Sequence, residues 1–321
     1  MTVLFGALQS GLMYGLLAMG VYISFRILDT PDLTAEGSFT LGICVSTMVS
    51  VAGHPWLGLL LGMLVGALAG VITGELQTRV GVHPILAGIL TMSGSYSIDL
   101  LIMGSAPNVN IPASLFKQLF SLLPTANKRA DPELWAKVSL YKELIETGVA
   151  LALAVLTLLV LIWFFRTHIG LCIRATGNNE AMVRSSSINA SRTRVVGIAV
   201  SNACIGLSGA IIAQSQGYGD VNSGVGILVV GLASVIIGEA LFGRRGVTLG
   251  FLSAVIGSII YRFFISLALS LDILPSYFLR FISAVIVGIA LAIPTMQAFI
   301  RKERARRAAI RAAAEEDEND A

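Results

Sequence analysis

Charge is scarce in this chain. Aspartate, glutamate, lysine and arginine make up 13% of 321 residues, hydrophobic residues make up 55%, and mean hydropathy is +0.82. A water-soluble domain of this size cannot hide so much apolar surface, which leaves a polytopic membrane protein. Each of the five lysines follows Phe, Asn, Ala, Tyr or Arg, so there is no GK[ST] phosphate loop, and no GxGxxG follows a strand. Nucleotide binding of the P-loop type is therefore excluded. Cysteine is equally sparse: Cys44, Cys172 and Cys204 show no CxxC spacing, which argues against a disulfide or zinc role. His54, His83 and His168 stand at loop edges without ligand spacing, and no Ser-His-Asp or paired-carboxylate pattern stands out. Neither a catalytic residue nor a metal site is expected.

What the chain does have is a series of apolar runs of roughly 15 to 24 residues, the length a helix needs to cross a hydrocarbon core of ~30 Å. The alternating pattern of a barrel is missing, so the fold class is all-α. Nine spans are expected, centred near Gly15, Cys44, Gly66, Ser93, Leu156, Ile205, Ser234, Ile256 and Ile289. The first, with Gln9, Gly11, Tyr14 and Gly15, lacks a basic leader or a small-residue cleavage site and reads as a retained helix rather than a signal peptide. With the C-terminus in the cytoplasm, 15 of the 22 lysines and arginines fall inside, which places the N-terminus outside. Residues 1–300 then form a transmembrane domain and 301–321 a charged cytoplasmic tail. The basic start of that tail suits anionic lipid, and its acidic end, EEDENDA, suits a solvated run.

Two segments outside the spans are long. The external one, 105–146, carries nearly balanced charge. Within it SLFKQLFSLLP places Leu115, Phe116, Leu119, Phe120 and Leu123 on one helical face, either packed on the protein's own spans or presented as a gate or docking surface. The cytoplasmic one, 166–194, holds five arginines, one glutamate and no lysine. Gly177 reads as a break, and Asn178 or Asn179 as the cap of a short helix through Glu180, Ala181, Met182, Val183 and Arg184. Such a helix between two spans suits docking into a soluble subunit, although an ordinary connector fits equally well.

In the third span Gly58, Gly62, Gly66, Gly70 and Gly74 recur every four residues, a stripe that lets a neighbouring backbone approach closely, in the same chain or across a dimer. Acidic residues near spans are functional suspects because charge is costly there. Glu75 and Glu239 lie near cytoplasmic ends beside Arg79 and beside Arg244 with Arg245, so local ion pairing is expected. Asp99, with Ser93, Ser95, Tyr96 and Ser97, is a candidate wall of a wet solute path. Asn202, Ser208 and Gln214 in the sixth span, with Ser201, either join helices or touch a passing polar solute; helix joining is sufficient reason for them.

The segment GLCIRATGNNEAMVRSSSINASRTRVVGIAVSNACIGLSGAIIAQSQGYGD resembles the coupling loop and following span of permease subunits of bacterial ABC importers, in the group of branched-chain amino acid and ribose permeases. Gly170, Arg174, Ala175, Ala181, Ile188, Asn189, Ser201, Leu207, Gly209 and Ala210 carry the likeness. PDLTAEGS at 31–38 resembles a pattern near the second span of the sugar permeases. The wording GLCIRATGNN, SNACIGLSGA and GLASVIIGEALFG most resembles a single-permease branch assigned to amino acids, aromatic ones among them. Ser187 and Glu239 stand where branched-chain members commonly have glycine. The resemblance implies a second permease copy, two cytoplasmic ATPases holding ATP and Mg, an external solute-binding protein, and a bacterial cytoplasmic (inner) membrane; it implies no nucleic acid. It also implies ATPase contact through Asn178, Asn179, Glu180, Ala181, Met182 and Arg184, with Arg174 as a support. A secondary transporter or channel without an ATPase is the alternative; it calls for coupling-ion residues at midplane and an internal repeat, and no convincing repeat is found.

Overall fold

The computed structural model describes residues 2–121, 123, 132–186, 188–243, 246–270, 285 and 288. Helix α1 (Thr2–Tyr22) continues into a π-helical turn, Ile23–Ile27, and is followed by α2 (Thr34–Val51), α3 (Pro55–Thr78) and α4 (Pro84–Ile102). A short strand β1 (Asn108–Asn110) and α5 (Leu115–Phe120) precede the long α6 (Pro132–Phe164). Two short helices, α7 (His168–Asn178) and α8 (Glu180–Ser185), lead into α9 (Ala190–Gln216). Strand β2 (Tyr218–Asp220), α10 (Ile227–Phe242) and α11 (Val247–Ser270) complete the described chain. The molecule is thus an all-α polytopic membrane protein. Among the described residues six helices, α1, α3, α4, α6, α9 and α11, are long and apolar enough to span a bilayer.

Local signals set the helix ends. Pro55 and Pro84 open α3 and α4 at the position where a missing N–H costs nothing, and Gly217, at φ 77°, stops α9 in a left-handed cap. α2 and α10, with 18 and 16 residues, are about 27 and 24 Å long. Eight of the nine expected span centres, Gly15 through Ile256, lie within described helices. The ninth, near Ile289, and the charged tail at 301–321 lie outside the described residues.

The segment 105–146, expected to be external, is not loop throughout. After Pro132, ELWAKVSLYKELIE consists largely of good helix formers, so residues 132–146 of the segment already belong to α6. Ser114 caps α5 by accepting from the Lys117 N–H, and Leu115 and Phe116 sink into the main core, so this short helix packs on the protein's own spans. β1 pairs antiparallel with β2, Asn108 opposite Asp220, which fastens the segment after α4 to the turn after α9.

In the largest core cluster Leu16 and Leu17 of α1, Phe39 and Ile43 of α2, Ile205 and Ile211 of α9 and Phe251 of α11 meet. The most extensive seam is α3 against α9, and all five stripe glycines face a neighbour in the same chain. A Cβ at Gly66 would lie 2.4 Å from the Asn202 carbonyl oxygen, at Gly70 2.7 Å from that of Ile198, and at Gly74 2.9 Å from Val195 Cα. Gly58 and Gly62 approach the backbone of α2 at Ser46 and Gly42. Lipid provides little hydrophobic drive between helices, so such contact supplies the attraction.

Candidate coupling segment and solute path

Between α6 and α9 the chain turns sharply. The Thr167 side chain accepts from the Gly170 N–H and starts α7, whose Ile173, Cys172 and Thr176 face inward. Thr176 Oγ1 lies 2.8 Å from Thr193 Oγ1 and joins α7 to α9. Gly177 does not break this helix as the sequence led us to expect. It lies inside α7, one residue before its end, and a Cβ there would sit 1.8 Å from the Ile27 carbonyl oxygen. Its role is close approach: α7 rests directly on the π-turn that ends α1.

The break falls at Asn179, in extended conformation at φ −158°, whose Oδ1 accepts from the Met182 N–H at 3.0 Å. Of the two candidate caps, Asn179 takes the role and Asn178 closes α7. A six-residue helix is marginal alone. This one is pinned by buried Val183 and by Glu180, whose two carboxylate oxygens accept from Arg184 at 2.7 Å and from Arg194 of α9. Glu180 therefore ties α8 to α9. Asn178, Asn179, Ala181, Met182 and Arg184 are exposed, with Met182 at 66%.

Beside α7 lies a cavity of about 710 Å³ lined by Tyr22, Arg26, Asp29, Arg174, Asn178 and Glu239, among others. Arg174 is exposed at this cavity. Glu239 meets Arg26 at 2.6 Å, linking the end of α10 to the π-turn of α1. This pair is long-range; Arg244 and Arg245, the expected local partners, lie outside the described residues. Glu75 does pair locally, with Arg79 at 2.6 Å.

The polar residues of α9 turn their hydrogen bonds to neighbouring helices. Asn202 donates to Asp32 at 2.7 Å and to the Ile198 carbonyl, and Ser208 donates to the Met13 carbonyl at 2.8 Å. Gln214 donates to Ser46 and Ser50 of α2 and accepts from the Leu115 N–H, which fixes α5 in place. All three are fully buried. Sequence reasoning missed the partner network. Asp32 also accepts from the Thr34 N–H at the start of α2, and Thr34, Thr73 and Thr91 form a hydroxyl chain across α2, α3 and α4. An acidic residue two places before a helix in PDLTAEGS was the available signal.

On α4, Ser93 and Tyr96 are exposed and Asp99 is buried at 1%. They line a cavity of about 380 Å³ between α2, α4 and the turn after β2. This cavity lies toward the β1–β2 end of the bundle, away from α7 and α8.

A helical bundle of bilayer length, with an anchored pair of short helices at one end and a polar recess toward the other, has the architecture of a membrane permease. The chain belongs to the family described as branched-chain amino acid transport system / permease component, which matches residues 3–290. It is a permease component of an ABC transport system, in a family of subunits that are not themselves catalytic. It is 34% identical over 307 residues to a tyrosine transport system permease protein of Clostridioides difficile (strain R20291), covering 95% of this chain and 96% of that one. Uncharacterized protein RP368 of Rickettsia prowazekii (strain Madrid E) is 28% identical over 242 residues, covering 75% and 79%. Among solved structures, PsaBC from Streptococcus pneumoniae in complex with Fab aligns with a TM-score of 0.46 at 15% identity, over 88% of this chain and 89% of that one.

Proposed function

We propose that this chain is the membrane-spanning subunit of an ATP-driven importer for an amino acid, working as a pair of copies in a bacterial cytoplasmic membrane with its N-terminus outside. Two cytoplasmic ATPases, which hold ATP and Mg, dock on α8, and an external binding protein delivers the solute. The observation that carries this reading is the α8 surface: Ala181 and Met182 are exposed on a helix too short to stand alone, yet capped by Asn179 and tied by Glu180 to α9. A small and an apolar side chain held rigidly outward suit a groove on a soluble partner. Displacement of α8 passes through Glu180 and Arg194 into α9, and from α9 through the glycine seam into α3. Displacement of α7 passes through Gly177 into α1, and through Arg26 and Glu239 into α10. Arg174 and Gly177 support the segment rather than touch the ATPase. The name of the Clostridioides relative supports an amino acid as cargo, an aromatic one among the candidates.

Ala181→Arg tests this. It puts bulk and an unpaired charge into a contact that must close, at ~2–5 kcal/mol if fully buried. The permease should keep its gel-filtration profile while losing retention of the ATPase and ATP-driven uptake. Wild-type uptake by the Ala181→Arg protein would show that the segment is only a connector.

A further inference from the structure

We propose that the cavity between α2, α4 and the turn after β2 binds the protonated amino group of the transported solute, with Asp99 as its counter-charge and the Tyr96 ring as a wall for the solute's side chain. This deepens the importer reading and rests on it. Two independent observations point to a ligand. The first is the recess itself, about 380 Å³, within the usual range of small-molecule sites (~300–1,000 Å³). The second is that Asp99 is 1% exposed and its Oδ1 has no hydrogen-bond partner, an arrangement that costs free energy unless a donor arrives. The Cys44 thiol lies against the same carboxyl group from behind.

The surroundings fix the sign of that donor. Glu36 is a second carboxylate in the wall, and it already accepts the Gly226 N–H at 3.0 Å. Thr40 turns its hydroxyl back to the Glu36 carbonyl, so it does not satisfy Asp99. Among the described residues that line the recess none is basic. A cationic head group is favoured there and a bare carboxylate is not. Tyr96 is half exposed at the rim, with Ser93 one helical turn before it, so an aromatic or apolar side chain has a face to lie on while the amine reaches inward.

The test uses the assembled transporter in proteoliposomes with Ser93→Cys as a reporter and the native cysteines replaced by serine. The rate of thiol modification is measured with L-tyrosine, with tyramine, which keeps the amine, and with 3-(4-hydroxyphenyl)propanoate, which lacks it. L-Tyrosine and tyramine should protect the reporter and the propanoate should not. Asp99→Asn should raise the concentration needed for protection about tenfold or more, as expected for a lost hydrogen bond to a charged group. Asp99→Glu should restore part of it. Equal protection by the propanoate, or protection unchanged in Asp99→Asn, overturns the proposal; if Asp99→Asn fails to fold, the three-ligand comparison on the unmutated site decides alone. ATP-driven uptake is followed in parallel. Uptake of L-tyrosine without amine-dependent protection removes this site and leaves the importer reading intact, whereas absence of ATP-driven uptake of every common amino acid removes both.

Discussion

A single methyl group at Gly66 should loosen the bundle. In Gly66→Ala the new Cβ would lie 2.4 Å from the Asn202 carbonyl oxygen and 3.0 Å from Gly206 Cα, roughly 1 Å short of comfortable contact. The obstructing atoms are backbone, so no rotamer change relieves the clash. Tilting α3 is also blocked, because Gly62 and Gly70, one turn to either side, are nearly as tight. Overpacking of this kind costs ~1–3 kcal/mol, against which alanine's better helix propensity returns ~1 kcal/mol. Gly94→Ala on α4 isolates that second effect, since nothing lies within 4 Å of a Cβ there. Gel filtration after heating in detergent should rank Gly94→Ala at or above wild type, Gly66→Ala below it and Gly66→Leu lowest, with transport falling in the same order. A Gly66→Leu protein made in normal amounts, equally heat-resistant and fully active, would refute the argument that backbone contact holds α3 to α9.

Single cysteines at Asn127 and Ser187, both outside the described residues, should react with an impermeant thiol reagent from opposite faces of the membrane, Asn127 from outside; reaction from one face would discard the proposed orientation. Glu239→Gln should lower heat resistance by removing the partner of a guanidinium whose side chain is only 25% exposed, by less than the ~3–5 kcal/mol of a fully buried pair, and the exchange Arg26→Glu with Glu239→Arg should recover part of the loss. If the double exchange were no better than Glu239→Gln, the pair would not be holding α1 to α10.

The positions of eight helices were legible because apolar length is a one-dimensional property, and the stripe from Gly58 to Gly74 was legible as a packing face because its spacing matches the helical turn. Which helix met that stripe was not, since α9 offers its own Gly206, Ala199 and Asn202 to it from more than a hundred residues away. Gly177 shows the same limit in reverse. A glycine beside two asparagines looks like a helix stop, and only the proximity of Ile27 reveals that the missing side chain serves contact instead. The cap at Asn179 was readable to within one residue because capping is local. The partners of Asn202, Gln214 and Glu239 were not, because each lies on another part of the chain, far away in sequence.

The glycine seams also divide the bundle mechanically. Where backbone meets backbone there are no rotamers to reset, so the joined helices behave as a stiff frame. Gly11 against Ile259 joins α1 to α11, Gly257 against the Ser234 carbonyl joins α11 to α10, Gly20 against the Ser201 carbonyl joins α1 to α9, and the long stripe joins α9 to α3. Helix α6 stands apart from this frame: it is the least buried of the six long apolar helices, and its one glycine, Gly148, meets nothing within 4 Å. It is also the helix that runs into α7. Its contacts are made by side chains, which can repack in small steps, so slack in the bundle is concentrated in the strut that enters α7, while the frame around it yields only as a whole.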